Sequence, residues 1–112
     1  MKRIVAIIKQ FKLGEVREGL LAAGLPGITV TEARGFGRQM GHTELYRGAQ
    51  YFIEFVSKVM IEMVVNDDQV DEAVRAVRAA AQTAHIGDGK IFITHIELAV
   101  RIRTGEAGAG AL

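Results

Sequence analysis

Apolar and polar positions along the chain change period several times, and each change marks an element. Ile4, Val5, Ala6, Ile7 and Ile8 form a nearly unbroken, largely β-branched run, the pattern of a buried strand. Over residues 12–24 the period lengthens: Leu13, Val16, Leu20 and Ala23 recur at helical spacing, and Gly24-Leu25-Pro26-Gly27 stops the helix. Residues 28–36 return to strand, with Ile28, Val30 and Thr31 as its β-formers. Residues 37–50 hold glycines at 37, 41 and 48 and no sustained period. About fourteen residues without a pattern is long for a compact domain, and such loops tend to carry function or move. Residues 51–65 are strand-like again, with Ile61, Met63 and Val65 alternating with Met60, Glu62 and Val64. Asn66-Asp67-Asp68 opens a second helix whose buried stripe is Val70, Val74, Val77 and Ala81. Its acidic residues come first and Arg75 and Arg78 later, which complements the helix dipole. Gly87-Asp88-Gly89 is a turn and residues 90–94 a strand. Ile96, Leu98, Val100 and Ile102 then alternate with Glu97, Ala99, Arg101 and Arg103, which predicts a further extended strand. Residues 105–112, mostly Gly and Ala, predict a disordered tail.

The order β-α-β, loop, β-α-β predicts one α+β domain over residues 1–112 with the ferredoxin-like βαββαβ pattern and a long loop between its second and third strands. Helices on one face of a four-stranded sheet leave the other face bare. Several strands are apolar on both faces, so a homo-oligomer is expected to cover it.

Composition narrows the function. The chain has 112 residues, 49% hydrophobic and 24% charged, ordinary for a single globular domain. It has no cysteine, which excludes disulfides, thiol catalysis and thiolate metal sites and fits a reducing compartment. The net charge is +1 and the basic residues are scattered, so nucleic acid is not an expected partner. The apolar run at residues 4–8 is too short for a signal-peptide core or a membrane span, so no membrane insertion and a cytoplasmic location are expected.

Taken singly, the candidate sites each admit two readings. Gly35-Phe36-Gly37-Arg38-Gln39-Met40-Gly41 offers backbone amides that can cradle phosphate, and equally reads as a hairpin loop. Gly87-Asp88-Gly89-Lys90 joins a tight turn to a point charge for phosphate, and equally reads as a turn ahead of a strand. Arg101 and Arg103, two apart on a strand, would sit about 7 Å apart on one face, a separation suited to a di- or triphosphate or to a solvated edge. Lys58 and Glu62 share one strand face and suit an anion site or a surface ion pair. Tyr46 and Tyr51 lie in or beside the long loop, as modifiable hydroxyls or as packing anchors. His42 with Glu44 is a weak metal pair without a third ligand. Ser57, the one serine, is not in a nucleophile elbow. General acid–base chemistry at Glu44 or Asp88 stays open.

Order and spacing add more than any single motif. Gly35 to Gln39, then Gly41-His42-Thr43-Glu44-Leu45-Tyr46-Arg47-Gly48-Ala49, then Tyr51, resemble the T-loop region of the PII nitrogen-regulatory signalling proteins. Ile86-Gly87-Asp88-Gly89-Lys90-Ile91-Phe92 resembles that family's B-loop, and Arg101-Ile102-Arg103-Thr104-Gly105-Glu106 its C-terminal stretch. The resemblance runs over residues 1–106 without a gap. It implies a homotrimer with ATP or ADP in clefts between subunits, and a flexible T-loop over residues 37–55. By the matching positions, Thr29 and Val64 contact the adenine, and Gly37 and Arg38 lie near phosphates and ribose. Gly87, Asp88, Gly89 and Lys90 wrap the phosphates, and Arg101 and Arg103 reach them from the neighbouring subunit. Gln39 helps ligate Mg²⁺ beside ATP, that ion holds 2-oxoglutarate, and Lys58 faces the distal carboxylate. Tyr51 matches the tyrosine uridylylated in many members, and Arg47 the loop arginine that contacts an ammonium channel.

Some positions depart from the family pattern: Gln50 precedes Tyr51, Met40 replaces a common lysine, Gln10 a frequent proline, and Ala84 and His85 vary the B-loop start. Ala49 leaves no serine for phosphorylation. The resemblance implies a regulator with no catalytic residue, any ATP hydrolysis being slow and secondary. Its partners would be an ammonium transporter, a uridylyltransferase, a kinase or a biosynthetic enzyme. The competing readings are a small enzyme in the same pocket and a structural trimer with vestigial sites.

Overall fold

The computed structural model describes residues 1–35 and 56–112. Among the described residues, strands β1 (Lys2–Lys9), β2 (Thr29–Gly35), β3 (Val56–Val65) and β4 (Gly89–His95) join helices α1 (Leu13–Ala22) and α2 (Val70–Ala81) in the order β1-α1-β2-β3-α2-β4. The sheet order is β2-β3-β1-β4, and each neighbouring pair is antiparallel. β3 thus splits the β1-α1-β2 unit, the arrangement the element order called for. The stretch assigned to the T-loop, 37–55, lies outside the described residues.

Strand periodicity decides which face is buried. Ile4, Ala6 and Ile8 of β1 and Val59, Ile61, Met63 and Val65 of β3 point to one side, where they meet Val16 and Leu20 of α1 and Ala73, Val77 and Ala81 of α2. Gly19 faces Ala76 and Ala80 across the helix contact, and such small residues let the two helices approach. Each helix is preceded by a 3₁₀ turn, Gln10–Lys12 and Asp67–Gln69. The second is fastened by the Asn66 amide donating to Gln69 Oε1 at 3.0 Å. The stripe expected on the second helix shifts slightly: Ala73 is buried, whereas Val74 borders a groove. The other face of the sheet carries Arg3, Val5, Ile7 and Lys9 opposite Val64, Glu62, Met60 and Lys58.

Two expectations for the C-terminal region are corrected. Residues 96–103 do not form a strand: β4 ends at His95, where its partner β1 begins at Lys2. Beyond that register β1 offers residues 96–103 no further ladder partner, and among the described residues they join none of the sheet's strands. The Ile96 amide instead donates to Met1 O at 3.0 Å, and a single bridge links Val100 and Ala107. The tail is not structureless either: Gly108–Ala111 forms a 3₁₀ turn. Arg101 holds it by pairing with Glu106 at 3.2 Å and donating to the carbonyls of Gly110 and Leu112. A charged fork with several donors can staple a segment whose own side chains are too small to pack.

Candidate functional site

A cavity of about 520 Å³ opens on the sheet face opposite the helices, at the end where β4 begins. β1 supplies Ile7, the end of β2 supplies Ala33 to Gly35, β3 supplies Lys58, and the turn leading into β4, with that strand's first two residues, supplies Ile86 to Lys90. Register brings them together, because Ile7 lies opposite Lys90, and Lys58 lies opposite both Lys9 and Ala33. The turn is built from unusual backbone. Gly87 and Gly89 have φ of 98° and 113°, and Ala84 has φ of 66°. Gly89 is required twice over, since a Cβ there would lie 1.8 Å from Ile7 O.

Charge inside the turn is arranged inward. The Asp88 carboxylate accepts from the Thr83 amide at 2.6 Å, from the Ala84 amide at 3.0 Å and from the Thr83 hydroxyl. Lys9 Nζ completes the cluster, 3.2 Å from Asp88 Oδ1 and 3.3 Å from Thr83 Oγ1. Hydrogen bonds from the Thr83 side chain and backbone, then Lys9, hold the Asp88 carboxyl well below its ordinary range. Lys58 is 8% exposed and donates to the Gly87 carbonyl. Burial pushes its ammonium pKa down, and the nearby Lys9 charge adds to that, with Asp88 opposing. The cavity therefore presents two lysines, Lys58 and Lys90, and a glycine turn whose one carboxylate is engaged elsewhere. That combination suits an anion with several oxygens.

Of the residues singled out in the sequence, Lys58, Gly87, Asp88, Gly89 and Lys90 come together here. Thr29 and Val64 share the same sheet face but sit at its opposite end, beside the Arg3–Glu62 ion pair at 2.7 Å. Glu62 thus pairs with an arginine, the surface ion pair weighed for that face. Arg101 and Arg103 do not line the cavity of their own chain, and Arg101 pairs with Glu106. Gly37, Arg38, Gln39, Arg47 and Tyr51 lie outside the described residues, as do Glu44 and His42. Among the described residues, no three His, Asp or Glu side chains form a metal-holding group. Lys9 and Thr83 were not singled out in the sequence. Their part depends on β1–β4 register, which sets Ile8 opposite Gly89, and on the closure of the turn, which local pattern does not encode.

The sequence model of the family described as Nitrogen regulatory protein P-II matches residues 1–106. The chain belongs to the P-II family. Similar proteins, each named nitrogen regulatory protein P-II, come from Mesorhizobium japonicum at 65% identity, Bradyrhizobium diazoefficiens at 63% and Rhodospirillum rubrum at 62%. In each pairing 100% of both chains is covered. P-II membership makes this chain a member of a family of nitrogen regulators, and the cavity lies where the P-II-like B-loop motif, Gly87 to Lys90, meets the sheet. Among the described residues no helix is long and apolar enough to cross a membrane.

Proposed function

We propose that this protein is a P-II-type sensor that binds ATP or ADP together with 2-oxoglutarate between the subunits of a homotrimer, and that it regulates partner proteins through residues 37–55. The observation that carries this reading is the convergence of Lys58, Lys90 and the Gly87–Gly89 turn on one cavity, with the Asp88 carboxylate engaged by Thr83, Ala84 and Lys9. Phosphate oxygens would meet the turn amides and Lys90, and Lys58 would face a carboxylate of 2-oxoglutarate. Gln39 would help hold Mg²⁺ beside ATP, where the ion would supply positive charge for 2-oxoglutarate, whose distal carboxylate is the one facing Lys58.

Distance supports a site shared between copies. Lys58 and Val64 lie about 20 Å apart along β3. A nucleotide whose adenine touches Thr29 and Val64 and whose phosphates touch the Gly87–Lys90 turn is more readily completed by two chains than by one. Exposed apolar residues support assembly as well: Leu98 is 61% exposed and Ile102 is 99% exposed, surfaces that a neighbouring copy would cover. Arg101 and Arg103 would then reach a neighbour's cleft. Ligand occupancy would select among conformations of the 37–55 segment, and so among partners such as an ammonium transporter, a uridylyltransferase, a kinase or a biosynthetic enzyme. Arg47 would make the channel contact and Tyr51 would be the uridylylation site. The role is regulatory, with any ATP hydrolysis slow and secondary.

Titration calorimetry with Mg²⁺–ATP tests the reading. The wild-type protein should bind, and Arg103→Ala should weaken binding by about 1.5–3 kcal/mol, the scale of a hydrogen bond to a charged group. Unchanged affinity in Arg103→Ala would leave Arg103 a surface residue.

A further inference from the structure

An acidic side chain in the middle of an anion-binding turn poses an electrostatic problem. Asp88 stands between Gly87 and Gly89, and both glycines line the cavity. An uncompensated carboxylate there would repel a phosphate at short range, in a setting where water screens poorly. The structure resolves this with a residue from another element. Lys9, the last residue of β1, lies opposite Lys58 in the β1–β3 ladder and reaches across to Asp88. Its side chain is 19% exposed and that of Asp88 is 23% exposed, so the pair is largely withdrawn from solvent.

The pair also carries the shape of the turn. Asp88 Oδ2 accepts from the Thr83 and Ala84 amides, and Ala84 adopts φ of 66°, a left-handed conformation unfavourable for a residue with a Cβ. Lys9 touches both ends of this closure, Asp88 Oδ1 and Thr83 Oγ1. We propose that Lys9 is a positioning and charge-balancing residue of the anion site: it neutralises Asp88 and holds the carboxylate on the Thr83–Ala84 amides, so that the turn presents Gly87, Gly89 and Lys90 to the ligand. Asp88 is accordingly a strut of the turn rather than a ligand contact. The ligand class, a nucleotide phosphate, rests on the reading proposed above. The role of Lys9 in the unliganded turn does not.

The experiment compares wild type, Lys9→Met, Lys9→Arg and the double variant Lys9→Met/Asp88→Asn. Amide hydrogen exchange and amide chemical shifts of Thr83 and Ala84 are read in ligand-free protein, and Mg²⁺–ATP affinity is read by calorimetry. Lys9→Met should deprotect the Thr83 and Ala84 amides and weaken ATP by roughly tenfold or more, with the amides of α1 unchanged. Lys9→Arg should restore most of both. The double variant, with no carboxylate charge left to balance, should bind ATP more tightly than Lys9→Met alone. Undisturbed Thr83 and Ala84 amides in Lys9→Met would overturn the positioning role, and a double variant no better than the single one would overturn charge balance. Wild-type protein that binds no ATP would instead sink the nucleotide reading, while the amide signals would still decide the role of Lys9.

Discussion

At the level of single residues, one carboxylate and one glycine are tied closely to their surroundings. Asp67 accepts from the N-terminal ammonium and from Lys2 Nζ, each at 2.9 Å. Those hydrogen bonds, the N-terminus first, hold its pKa down at about 2. A folded-state pKa below the ordinary 3.8 means the stability these contacts add is present above that value and is lost as pH falls through about 2. Asp67→Asn should therefore melt below wild type near neutral pH, with the gap closing as pH drops from about 4 to about 2, as thermal unfolding across that range would record. A constant gap would show that the charge plays no part. Gly89 has no such latitude. Its φ of 113° and its approach to Ile7 O predict that Gly89→Ala costs more than about 2 kcal/mol, measured by denaturant unfolding.

Elements show how far local pattern reaches. The strands of residues 4–8 and 90–94 and both helices emerge within a residue or a few of their sequence-based bounds, because each has a single dominant period and a partner face to bury it. Leu20 is 1% exposed at the centre of the helix–sheet contact, so Leu20→Ala should cost about 2–5 kcal/mol by denaturant titration. The segment after His95 reads as a strand by the same rule and is not one, since alternation states what a segment could pair with and not whether a partner is there. The site divides along the same line. Lys58, Gly87, Asp88, Gly89 and Lys90 were visible as residue types in motifs. The reach of Lys9 to Asp88 depends on register between β1 and β4, strands far apart in sequence, and the closure of Asp88 onto the Thr83 and Ala84 amides depends on a left-handed Ala84, so neither is legible in local pattern.

For the whole molecule, the proposed nucleotide site would draw on more than one copy of the chain. Thr29 and Val64 stand at one end of the sheet and the Gly87–Lys90 turn at the other. A trimer should have three times the 12.2 kDa mass of the chain, which light scattering would resolve. Ile102 is 99% exposed in the single chain, so Ile102→Asp should leave the secondary structure intact while shifting the particle towards lower mass. An unchanged mass would place Ile102 outside the subunit contact. The proposed sensor reads a nucleotide and a dicarboxylate jointly at one site. Calorimetry of 2-oxoglutarate, with and without saturating Mg²⁺–ATP, tests it most directly. Binding of 2-oxoglutarate only in the presence of Mg²⁺–ATP is the predicted result; tight binding to the ligand-free protein, or none in either condition, would contradict it.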